Sequence, residues 1–169
     1  SGRAAGLLGQ LRGTTAATRM LIDALEIVRD LSEQAESEIF VETGSLRIAE
    51  TPDRSREIVD LVAMGKSIGF EIEHVDATRV AELVPYMKTD DLIDACYCPT
   101  DGHVQPAELV AAYIKVGKRH GVEYLTNSPV EEVILKESTA IGVRAGGVEF
   151  HAPVIVNAAG PWSYLVADL

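Results

Sequence analysis

Residues 154–162 read Val-Ile-Val-Asn-Ala-Ala-Gly-Pro-Trp, and this run constrains the fold more than any other. Three consecutive apolar β-formers predict a strand buried on both faces, the kind found inside mainly parallel sheets. Ala158-Ala159-Gly160 follows where such a strand must turn. Residues without bulk at a strand end let the main chain come close to a ligand. They suit an ordinary tight strand-to-helix turn equally well, so the run alone leaves both readings open. The phosphate-cradling turn G-x-G-x-x-G occurs nowhere in the 169 residues.

Charge and composition narrow the choice. The net charge of −11, with carboxylates spread along the chain, argues against nucleic acid, whose phosphates demand basic patches. It argues equally against an anionic membrane surface. No apolar run approaches the roughly 20 residues of a membrane-spanning helix. Hydrophobic residues make up 47% of the chain, enough for a substantial core in one domain or two lobes that share one. Cys96 and Cys98 are the two cysteines. Two apart on a strand they face the same side, where a bridge between them would be badly strained. They read as small apolar strand residues in a reducing compartment, which places the chain in the cytoplasm. His74, His103, His120 and His151 are scattered, so no metal site is expected.

Along the chain, periodicity predicts alternating helices and short strands. Thr14 or Thr15 can cap a helix whose apolar positions Ala17, Met20, Leu21, Ala24, Val28, Leu31 and Ala35 recur at helical spacing to about residue 36. Residues 39–49 read as strand, turn, strand, with Thr43-Gly44-Ser45 as the turn. Thr51-Pro52-Asp53 starts a second helix with Ile58, Leu61, Val62, Gly65 and Ile68 as its buried stripe, ended by Gly69. Residues 71–75 alternate as a strand, and Asp76 caps a brief helix closed off by Pro85. Residues 92–98 form another strand, and Pro99-Thr100-Asp101-Gly102 a tight turn. Pro106 opens a helix that stops at His120-Gly121. Strands are expected at 122–125 and 130–136. Residues 140–144 and 148–150 should pair across Ala145-Gly146-Gly147, before the strand at 154–157. The fold class is α+β, α/β-like in its alternation.

The order from Asp101 onward resembles the glycine oxidase, sarcosine oxidase and dimethylglycine dehydrogenase group, the D-amino-acid-oxidase-like flavoproteins. That family has a Gly-x-[Val/Ile]-Asp-Pro helix start, a Gly-Val strand, a Pro-Val strand start and a Val-Val-Asn-Ala-Ala-Gly-x-Trp segment. The counterparts here are Gly102-His103-Val104-Gln105-Pro106, Gly121-Val122, Pro129-Val130 and residues 154–162. Gly2-Arg3-Ala4-Ala5-Gly6-Leu7-Leu8 resembles the small-residue segment after the family's first βαβ unit. Gly44-Ser45-Leu46 and the Pro85 region resemble its substrate lobe. Gln105 departs from the family's Asp, which implies a weaker helix cap rather than a lost helix. Some relatives carry an arginine at the position matching Gly9; here Gln10 and Arg12 stand nearby.

The resemblance implies a function and a set of contacts. The whole protein would oxidise the C–N bond of a small amine or amino acid, of the glycine, sarcosine or N-methyl type, by hydride transfer to FAD. Ala158, Ala159 and Gly160 would lie against the ribityl and pyrophosphate, Val130 would contact the adenine through its main chain, and Ala5 and Gly6 would lie beside the isoalloxazine. Arg12 would hold a substrate carboxylate, although a solvated surface arginine is an equal reading of that residue. No catalytic residue is identified, and no His or Cys suits a covalent flavin link. Residues 1–36 and 99–169 would form a partial FAD-binding lobe with a β-meander, and 37–98 part of a mixed-sheet substrate lobe. With the dinucleotide turn missing, the chain is expected to be an internal piece. It would be inactive and flavin-free alone, and its uncovered apolar surface would favour a homodimer or swapped assembly. Two alternatives share these features: a glycerol-3-phosphate dehydrogenase-like flavoenzyme, and a non-catalytic subunit or interaction module that keeps the fold.

Overall fold

The structure, a computed structural model, describes residues 4–169 and comprises two compact units, one ending at Val122 and one running from Glu123 to Leu169. In the first unit, β1 (Leu7–Leu8), β2 (Phe40–Glu42) and β6 (Gly102–Val104) form one antiparallel sheet in the order β1-β6-β2. A second sheet is built from β3 (Ser45–Ala49), β4 (Glu73–Val75) and β5 (Asp94–Cys98), in the order β3-β5-β4. The predicted 39–49 turn turns out to be a crossing. Thr43 N–H and Gly44 N–H both donate to the Asp101 carbonyl, at 3.2 and 2.8 Å. The chain therefore bends from one sheet into the other instead of reversing. The β5–β6 connection crosses back beside it, with Glu42 opposite Gly102 and Ser45 opposite Cys98.

The helices form where capping and periodicity put them. In α1 (Thr15–Ala35) the Thr14 hydroxyl accepts from Ala17 N–H, and Leu25, Val28, Leu31 and Ala35 are buried. In α2 (Pro52–Ser67) Thr51 caps Arg54 N–H, and Ile58, Leu61, Val62 and Gly65 are buried. Asp76 caps α3 (Ala77–Leu83) through Arg79 N–H. Gln105 makes no side-chain cap on α4 (Pro106–Arg119), yet the helix forms. The α1 carboxyl end is closed by cations from α4: Lys115 Nζ donates to Ala35 O at 2.5 Å and Arg119 to Gln34 O at 2.6 Å, which suits the negative end of the helix dipole. Three cores result. The α2 helix covers one face of the second sheet around Ile58, Cys96 and Cys98. Val80 of α3 covers the other face with Val75 and Ala95. Between α1, α4 and the first sheet lie Val28, Leu31, Ile39, Val104 and Ala112.

The second unit is a meander of β7 (Val130–Lys136), β8 (Thr139–Ala145) and β9 (Val148–His151), followed by one 3₁₀ turn at Gly160–Trp162 and α5 (Ser163–Ala167). Arg144 on β8 ties the meander together, pairing with Glu132 at 2.7 Å and Glu149 at 2.8 Å. That guanidinium holds the Glu149 carboxyl below its ordinary range. The turn over Ala145-Gly146-Gly147 falls where predicted, with both glycines at positive φ. Two predicted strands do not form. Residues 122–125 and 154–157 pair with no strand among the described residues. A strand exists only where a neighbour offers its ladder groups, and these runs have the right composition without that neighbour. Val154 and Val156 are accordingly 71% and 79% exposed.

Two glycines separate backbone strain from crowding. Gly69 (φ +76°) has open space where a Cβ would stand, whereas at Gly44 (φ +73°) a Cβ would overlap the Tyr97 ring. Gly69→Ala should cost about 1–2 kcal/mol, the left-handed penalty alone. Gly44→Ala should cost at least about 2 kcal/mol more, since crowding adds to that penalty. Urea unfolding of the two variants measures the difference.

Candidate functional site

The residues singled out by sequence fall in two places, one in each unit. In the first unit they lie on the segment 5–12, which is tied down at nearly every residue. Leu7 pairs with His103 and Leu8 with Gly102, and Val104 N–H donates to Gly6 O at 2.8 Å. Gly6 stands at φ +77°, and a Cβ there would overlap the Val104 carbonyl, so only glycine lets the segment lie this close to β6. Ala5 is exposed and Gly6 half-buried. Further on, Arg12 N–H donates to the buried Thr18 hydroxyl at 3.0 Å, and that hydroxyl lies 3.3 Å from Arg12 O. The exposed Arg12 side chain folds back to give Leu11 O a 2.7 Å hydrogen bond, and Arg47 from β3 reaches the same oxygen at 2.5 Å. Neither arginine has a carboxylate partner among the ion pairs of the described residues. Two converging cations without an anion can take a carboxylate.

The anchor of this segment escaped the sequence reading, which saw Asp101 only as part of a turn. Its side chain is buried, at 2% exposure. Gln10 N–H and Gln10 Nε2 both donate to Oδ1 at 2.9 Å, and Ser45 Oγ donates to Oδ2 at 2.5 Å. Gln10 Nε2 also reaches Thr100 Oγ1 at 2.9 Å. An Asp-Gly pair opposite Thr-Gly-Ser was the available signal, but the partners sit 56 and 91 residues apart, beyond any local pattern.

In the second unit Val130, Ala158 and Ala159 come together. They border an apolar groove of about 470 Å³ that also includes Val133, Val143 and Ile155. Asn157, which the sequence reading left without a role, closes the corner. Its Nδ2 donates to Ser163 O at 2.8 Å, and its Oδ1 accepts from Ala159 N–H at 3.2 Å. Gly160 takes φ +60° with open space around it. Ala158 and Gly160 are exposed and Ala159 half-buried, so the corner presents main chain to an open face.

Other clusters offer less chemistry. Ser55 Oγ and His74 Nε2 both bind Asp94 Oδ2, at 2.8 and 2.9 Å. Serine and histidine thus meet the same carboxylate rather than each other, and no nucleophile–base pair exists there. Among the described residues no three ligands gather for a metal, and no helix is long and apolar enough to cross a membrane. Cys96 and Cys98 are free and buried. The hydrogen bond between them pushes the Cys98 thiol up, with burial adding to it, and pushes the Cys96 thiol down.

With this geometry in place, comparison with known proteins decides the family. The model of the FAD dependent oxidoreductase (DAO) family matches residues 1–169. The chain belongs to that family. It is 30% identical to sarcosine dehydrogenase, mitochondrial, from Homo sapiens over 98% of this chain and 19% of that protein. It is 26% identical to the pyruvate dehydrogenase phosphatase regulatory subunit, mitochondrial, of Mus musculus over 95% of this chain and 18% of that protein. Its fold matches L-proline dehydrogenase from P. horikoshii with a TM-score of 0.93 at 21% identity, over 98% of this chain and 44% of that one. The chain therefore spans about a fifth of the length of these curated relatives.

Burial makes a prediction for the thiols. Both, at 0% and 1% exposure, should react with Ellman's reagent at least about a hundredfold more slowly than free cysteine at pH 8, because the reagent must reach the sulfur. Urea should abolish the difference, read as absorbance against time.

Proposed function

We propose that this chain is part of an FAD-dependent oxidoreductase that oxidises the C–N bond of a small amine or amino acid of the glycine, sarcosine or N-methyl type. One observation carries the reading: the Ala158-Ala159-Gly160 corner stands open beside Val130 on an apolar groove instead of being packed into a core. Residues 1–36 and 99–169 supply part of the FAD-binding lobe, and 37–98 part of the substrate lobe. When bound, FAD supplies the redox chemistry, taking a hydride from the carbon beside the substrate nitrogen. The chain's own residues bind and orient. Val130 offers main chain to the adenine, and the corner lets ribityl and pyrophosphate approach without side-chain obstruction. Ala5 and Gly6 give the ring a surface without bulk. Arg12 receives the substrate carboxylate. Its Nη1 lies 3.9 Å from where a side chain at Gly9 would begin, so it reaches the space from which some relatives present an arginine. Two free, buried thiols suit a reducing compartment.

The kinship with a phosphatase regulatory subunit favours a second reading, a non-catalytic subunit that keeps the fold. Flavin uptake by the full-length protein separates the two. The oxidoreductase reading expects yellow protein after desalting, bleached anaerobically by a secondary amino acid. Ala158→Glu, which puts a charge and bulk on the corner, should weaken FAD binding by at least about tenfold. Colourless wild-type protein defeats the reading.

A further inference from the structure

Asp101 is a buried carboxylate that the proposed chemistry leaves unused. No ion pair among the described residues involves it. A carboxylate is costly to bury without a cation unless several donors surround it, and all of its side-chain donors come from Gln10 and Ser45. A Cβ on Gly9 would sit 3.5 Å from Asp101 Oδ2 and 3.9 Å from Arg12 Nη1, in ordinary van der Waals contact with both. Carboxylate and guanidinium thus flank the same residue. From Gly6 to Arg12 the chain is stretched between three fixtures: β6, the Asp101 carboxylate, and the Thr18 hydroxyl.

We infer that Asp101 is a positioning residue whose buried carboxylate fixes the Gly6–Arg12 segment and thereby aims the Arg12 guanidinium at a substrate carboxylate. The inference rests on the proposed function for its use of Arg12 and goes beyond it in naming what sets that arginine. All three side-chain contacts are donors pointing at the carboxylate. The Asp101→Asn change would keep the Oδ1 bonds, and its NH₂ would donate to the Ser45 hydroxyl, which can rotate to accept.

The test uses the full-length protein with Asp101→Asn, Asp101→Ala and Ser45→Ala. Without added flavin, hydrogen exchange of peptides covering residues 6–12 should quicken about tenfold in Asp101→Ala and less in Asp101→Asn and Ser45→Ala, one lost hydrogen bond being worth up to about a tenfold change. Exchange over α2 should not change. In the flavin-loaded protein, Asp101→Ala should lower kcat/KM about tenfold for an N-methyl amino acid, mainly through KM, as loss of one carboxylate contact does. The matching amine without a carboxylate should be affected less than about twofold. Asp101→Asn should recover most of the loss. If Asp101→Ala does not fold, the Asp101→Asn and Ser45→Ala variants carry the same comparison. Unchanged exchange at 6–12, or equal losses for the two substrates, overturns the inference. A wild type that takes up no flavin fails the functional reading instead, and the exchange measurement then decides the positioning role alone.

Discussion

One buried carboxylate, Asp101, is the point on which the first unit turns. Its main chain accepts from Thr43 and Gly44, and its side chain from Gln10 and Ser45. The N-terminal segment, the β2–β3 crossing and the β5–β6 crossing therefore meet at a single residue. Hydrogen bonds to a charged group are each worth about 1.5–3 kcal/mol, while burying the charge costs several kcal/mol. The two nearly cancel, so the gain is geometry more than net stability.

Around that point the cores divide the work. The central strand β5 is covered on one face by α2 and on the other by α3, which explains why Ala95, Cys96 and Cys98 are all buried while strict alternation would have exposed some of them. The buried thiols are packing atoms here. The second unit is held differently, by a ladder and an arginine bridging two carboxylates, with Ala145 the buried apolar side chain of its meander. Exposed pairs of that kind contribute little. Its order comes mainly from the turns and the hydrogen-bonded register.

Local rules carried far in this sequence and stopped at long range. Thr14, Thr51 and Asp76 cap helices because their side chains need only nearby N–H groups, and the α2 stripe is legible because burial follows the helical period. The glycine pair at 146–147 specifies its own turn. What stayed hidden depends on residues far away. Thr43-Gly44-Ser45 has turn composition, but its destination is set by a carbonyl far along the chain, that of Asp101. Val154-Ile155-Val156 has strand composition, but strands are pairs. Within the candidate site, Val130 and the alanine corner were legible as a motif, and they meet on one groove. Asp101 and Gln10 were not, because a tertiary hydrogen bond leaves no spacing to read.

The bare run at 154–157 has a consequence of its own. With no strand partner among the described residues, the run is tied at its end, where the Asn157 side chain spans from Ser163 O to Ala159 N–H. Ile155 and Val156 also line the groove beside Val130 and Val133, so a single amide side chain fixes the alanine corner and one wall of the groove together.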